Sequence, residues 1–174
     1  MQSNLQYPGQ PIGVIPAFTR HQQPMTLKAK EQFGFSGDDF DITDPNTGQN
    51  IFQVHAKALS LSQKKTFTDA RGGHIFTLTK SPFINSFDAL DQNGKVLFNA
   101  RKKMSFMSAK IDITFNNLAG DGRMTTLKLR GDFMTKDADI MLENGAPVAR
   151  ISRAFSGTDI FFDKQTYFVM VAPG

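Results

Sequence analysis

The length of 174 residues is that of one domain, and 40% hydrophobic with 21% charged residues is globular composition, which excludes wholesale disorder. Twenty Lys and Arg against 16 Asp and Glu leave a formal charge of +4, an attraction toward anionic partners that specifies none of them. The absence of cysteine excludes disulfides, thiolate chemistry, zinc–sulfur sites, palmitoylation and prenylation together, and it fits a reducing compartment.

Residues 1–23, rich in Gln, Pro and Gly, read as an N-terminal arm, disordered at its start, with "IGVIPAF" pinned to the body by its apolar residues. There is no basic n-region or apolar h-region, so no signal peptide is expected, and no run approaches the roughly 20 apolar residues of a membrane span. A cytoplasmic chain, peripheral to membranes at most, is the expectation. From residue 24 to 174 the pattern is that of a single β domain with period-two alternation.

"MTLKAKEQF" places Met25, Leu27 and Ala29 on one face of a strand and Thr26, Lys28 and Lys30 on the other. "DFDIT" and "NIFQVHAKA" flank the turn "DPNTGQ"; "KKTFT" and "HIFTLTK" flank "DARGG". "SFDAL" and "KVLFNARKK" flank "DQNG", where Asn93-Gly94 is a strong hairpin signal. "AKIDITFNN" leads through the Gly-rich "LAGDGRM" to "TTLKLRGDF", and "DADIMLE" and "VARISRAF" flank a second Asn-Gly pair. "TDIFF" and "TYFVMVA" close the chain. About eleven or twelve short strands with turns every 8 to 12 residues mean an all-β antiparallel barrel or sandwich, and periodicity alone leaves that choice open.

The order of these phrases resembles the LURP-one-related proteins of the tubby C-terminal-like superfamily, relatives of phospholipid scramblases. The likeness runs from Met25 to the end and is carried by "FDITDPNTG", "LSLSQKK" with its following "DARGG", and the terminal "VMVAPG". It implies a closed antiparallel barrel of about twelve strands, with a hydrophobic helix after "VAPG" that runs back through the lumen. That central helix is missing from this sequence, which ends at Gly174. Twelve strands enclose a bore on the order of 10 Å, wider than wall side chains alone fill. The expectation is therefore a chain truncated before its helix. The alternative is a lumen filled by the N-terminal arm, by inward residues such as Phe40, Phe52, Phe76 and Phe168, or by a small apolar ligand, even one that the protein isomerises.

No catalytic pattern is present: there is no G-x-S-x-G, no P-loop, and His21, His55 and His74 lack metal-ligand spacing. The acidic pairs Asp38-Asp39, Asp137 with Asp139, and Asp159 with Asp163 read as turn carboxylates rather than as a calcium site. No catalytic residue, cofactor or metal ligand is assigned, and the expectation is a protein that is not an enzyme.

Basic clusters carry the functional expectation. Lys64-Lys65, Arg101-Lys102-Lys103, and Lys128 with Arg130 sit on strands or their ends, and alternation puts Lys128 and Arg130 on one face. Such residues suit a phosphorylated headgroup, Arg by its fork and Lys as a point charge. Tubby proteins use strand-borne basic residues in this way, so the resemblance implies a non-enzymatic module that binds phosphoinositide or other anionic lipid headgroups. The alternatives are a structural or stress-related protein partner, or an ordinary solvated face with edge protection by Lys. Nucleic acid is disfavoured, because no aromatic residues interleave with the basic clusters.

Overall fold

The structure, a computed structural model, describes residues 5–31, 39–56, 64–105, 108–132, 137–153 and 166–174. Twelve strands form: β1 (Met25–Glu31), β2 (Phe40–Thr43), β3 (Asn50–Ala56), β4 (Lys65–Asp69), β5 (His74–Lys80), β6 (Ser86–Leu90), β7 (Val96–Lys103), β8 (Ser108–Asn116), β9 (Met124–Asp132), β10 (Ala138–Met141), β11 (Pro147–Arg153) and β12 (Thr166–Val171). Each pairs antiparallel with its neighbour in sequence, and β1 pairs with β12, so the sheet closes into a barrel. The alternation that left barrel and sandwich open is thus resolved by one further ladder, Leu27 opposite Val169. The expected strand "TDIFF" and the carboxylates Asp38, Asp159 and Asp163 lie outside the described residues.

Register divides the wall into two faces. Phe40, Ile42, Phe52, Val54, Phe67, Leu78, Ala89, Phe98, Phe115 and Ala149 share one face through successive cross-strand pairs. Val54, Ala89, Phe115 and Ala149 are buried, so this face looks into the bore. The Phe67 and Phe76 rings stack at 4.3 Å between centroids, and Phe76 meets Phe98 edge-on at 5.4 Å. Ala89, on the strand between Phe76 and Phe98, has no exposed surface. The other face carries Lys28, Asp88, Asn99, Asp112, Arg130, Asp139 and Arg150. Phe168 belongs to this second face, opposite Lys28 and Ser152, so the register does not put it in the lumen with Phe40, Phe52 and Phe76. Among the described residues the largest fully buried side chains are Asn117 and Ser86, both polar. The wall phenylalanines Phe40, Phe52, Phe67, Phe76 and Phe98 are only half-buried.

The two ends differ in construction. At one end lie the β2–β3, β4–β5, β6–β7, β8–β9 and β10–β11 turns, with Gly48, Gly72, Gly94, Gly122 and Gly145 all left-handed. Asp44, Asp69, Asp91, Asp121 and Asn144 each accept a hydrogen bond from the backbone N–H two residues on, the Asx turn. Asn93 keeps a negative φ; only Gly94, at φ 82°, crosses over, so the turn is wider than the two-residue hairpin its Asn-Gly pair suggests. The described arm crosses this same end. A single 3-10 turn, Pro16–Phe18, lays Phe18 edge-on against Phe52 at 5.3 Å. Buried Asn117 accepts from the Gly13 N–H and donates to the Pro11 carbonyl, while His21 Nε2 donates to Ala172 O at 2.7 Å. The arm is therefore fastened on both sides of the mouth, by these polar bonds as well as by the apolar contact of Phe18 and the burial of Leu5.

Candidate functional site

Cross-strand register on β7, β8 and β9 assembles the basic residues that sequence spacing only suggested. Along the outer face one row reads Arg101, Asp112, Lys128, and the next reads Lys103, Lys110, Arg130, Asp139, Arg150. Asp112 is the hub. Arg130 Nη2 donates to its Oδ1 at 3.0 Å, and Lys103 forms an ion pair with its Oδ2. Burial pushes the Asp112 carboxyl up, but the hydrogen bonds and charges of Lys103 and Arg130 outweigh that and hold it below the usual carboxylate range. Arg130 is further held by its donation to the Leu129 carbonyl at 2.8 Å. Lys128 lies 3.8 Å from Glu143. The Arg150 guanidinium takes Asp139 in a fork at 2.6 and 3.0 Å, which raises its pKa further.

Lys128 and Arg130 do share a face, yet each is matched by a carboxylate on a neighbouring element. Arg101 and Lys102 are exposed and have no ion pair among the described residues. Lys64 and Lys65 are not brought to this cluster. They lie at the start of β4, three strands from β7, where Lys65 has bore-side parity and sits 5.8 Å from the Phe40 ring centroid. Lys102 also has bore-side parity, opposite Ile111, at the rim.

A groove of about 620 Å³ opens beside Arg101 on the outer surface, lined by Pro82, Phe83, Ile84, Ser86, Asp88 and Asn99. Its floor is fixed, because the Asn99 amide donates to Ser86 Oγ at 2.7 Å and to Asp88 Oδ1 at 2.6 Å. Two contributors had no distinct sequence signal: Asn117, which lay unmarked in a Gly-rich loop, and Asp112, whose partners are fixed by register. Among the described residues no group of His, Asp and Glu is placed to hold a metal ion. Also among them, no helix is long and apolar enough to cross a membrane.

A closed antiparallel barrel with a charge-laddered outer wall and a phenylalanine-lined bore is the class of protein that these features define. Residues 25–174 match the LURP-one-related (LOR) family, and the chain belongs to that family. The barrel is similar to an X-ray structure of an Arabidopsis thaliana protein, with a TM-score of 0.62 and 20% sequence identity over 92% of this chain and 86% of that one. No curated protein matches the sequence.

Proposed function

We propose that the protein is a non-enzymatic barrel module that holds anionic lipid headgroups, phosphoinositides among them, at a membrane surface. The observation that carries this reading is the unequal fate of the cations on β7–β9. Lys103, Lys128 and Arg130 are matched by Asp112 and Glu143, whereas Arg101, beside the groove, and Lys102, at the rim, are exposed and have no ion pair among the described residues. Arg offers a fork to a phosphate, and each cation near an anionic surface contributes on the order of 1 kcal/mol. Wild-type protein is expected to sediment with phosphoinositide-containing vesicles, less so as salt rises. Arg101→Glu with Lys102→Glu weakens that binding at least about tenfold, and Lys128→Glu with Arg130→Glu weakens it less. Wild type that stays in the supernatant, or a charge-reversed variant that binds as well as wild type, ends this reading.

The half-buried wall phenylalanines favour a second reading, in which the bore takes a small apolar molecule. Displacement of a lipophilic dye, abolished by a bulky polar substitution such as Phe76→Gln, is the expected result. A dye signal indifferent to that change removes it.

A further inference from the structure

We propose that the β5–β6 connection is a membrane-insertion tip. Pro82, Phe83 and Ile84, with Met104 one strand over, enter the acyl boundary of an anionic bilayer while the cations around them take up headgroups. This rests on the membrane-surface reading above and adds to it an orientation and an apolar contact.

Phe83, Ile84 and Met104 are 73%, 83% and 90% exposed, at the same end of the barrel. Exposed apolar residues scattered singly mean little, but an adjacent pair reinforced from the next strand forms a patch. The turn that carries the pair is firmly built. Ser81 and Ser86 are buried at its base, and the Ser81 N–H donates to the Ser86 carbonyl at 2.9 Å. Ser81 Oγ accepts from the Phe83 N–H, and the Lys102 N–H donates to the Asn85 carbonyl at 2.8 Å. Asn85 closes the turn at φ 57°, a left-handed conformation that Asn tolerates. Phe83 and Ile84 are thus presented to solvent by a fixed frame.

Charge names the partner. Lys80, Arg101, Lys102 and Lys110 lie at the same end as the tip, all exposed and none in an ion pair among the described residues, while the one carboxylate in the groove beside Phe83, Asp88, accepts from the Asn99 amide. An apolar tip with exposed cations at the same end is the chemistry of an interfacial anchor for anionic lipid. The opposite end exposes Tyr7, Phe18, Val96, Leu118 and Met124, but no two of these are adjacent in the chain, and Arg123 there lies 3.8 Å from Asp121.

The sequence contains no Trp, so Phe83→Trp supplies a single fluorescent reporter. With vesicles of phosphatidylcholine, phosphatidylserine and a phosphoinositide, its emission shifts to the blue and is quenched by brominated acyl chains. With phosphatidylcholine alone it does neither. Phe83→Ser with Ile84→Ser lowers partition onto the anionic vesicles by at least about tenfold. If the reporter variant sediments with the vesicles but shows neither shift nor quenching, the tip falls and surface headgroup binding stands. If neither it nor wild type sediments at any anionic composition, both fall. If wild type instead dimerises in solution and the double serine variant does not, with vesicle binding unchanged, the patch is a contact between copies and the tip is overturned.

Discussion

At one end of the barrel, five hairpins turn over an Asx side chain and a left-handed glycine, and the N-terminal arm is bolted across them by Asn117 and His21. At the other end, the described β5–β6 turn holds its frame with two buried serines and shows Phe83 and Ile84 to solvent. The β5–β6 turn satisfies its backbone groups as locally as the five hairpins do. The contrast lies in where the side chains go. The hairpin end turns Asn117 inward to fasten a strap; the β5–β6 turn directs Phe83 and Ile84 outward as an adjacent pair, where folding gains nothing from them.

The largest effect is expected at the fastened end. Asn117→Ala leaves the Gly13 N–H and the Pro11 carbonyl without their partner and is expected to cost about 3 kcal/mol in urea unfolding. A loss below about 1 kcal/mol would mean that the strap contributes little. Gly94→Val, forced to hold a left-handed φ, is expected to cost about 1–2 kcal/mol by the same measurement.

Between the ends, Asp112→Asn removes the hub of the charge ladder. It is expected to lose about 1 kcal/mol, since Lys103 is half-exposed, and to bind anionic vesicles several-fold more tightly because two cations are released. The native carboxyl is held below its ordinary pKa, so its contribution is fully present above about pH 4 and is lost as the pH falls through the native value. Wild type and variant should therefore differ in stability at neutral pH and converge in strong acid. A gap that widened on acidification would invert this account.

The smallest effect is expected at the tip. Phe83→Ser with Ile84→Ser should leave the unfolding free energy within about 0.5 kcal/mol of wild type, because neither side chain is buried. A larger loss would show that the tip packs against its own barrel and would erase the contrast between the ends.

Strand order and turn positions were legible because period-two alternation and Asx-Gly spacing are local signals. Closure was not local, and only the family resemblance supplied it. Face assignment failed at Phe168 for a definite reason: after Thr166 the run "YFVMV" is continuously apolar, so its residues do not alternate by face until Phe168 is set against Lys28. The basic residues were visible but indistinguishable in the sequence. What separates Arg101 from Arg130 is Asp112, eleven positions from the first and eighteen from the second, which pairs with Arg130 only because β8 and β9 are in register. Phe83 lay in "SPFINS", an unremarkable turn whose meaning depends on exposure.

Eleven of the twelve ladders join strands that follow one another in the chain, and β1 with β12 is the exception. The consecutive hairpins can zip locally, but the last seam must bring the start and finish of the domain together against the full loop-closure entropy. Ring closure is therefore the slow, late event of folding. In a refolding pulse-label experiment, the amides of Leu27 and Val169 should gain protection from exchange after those of Phe98 and Phe115.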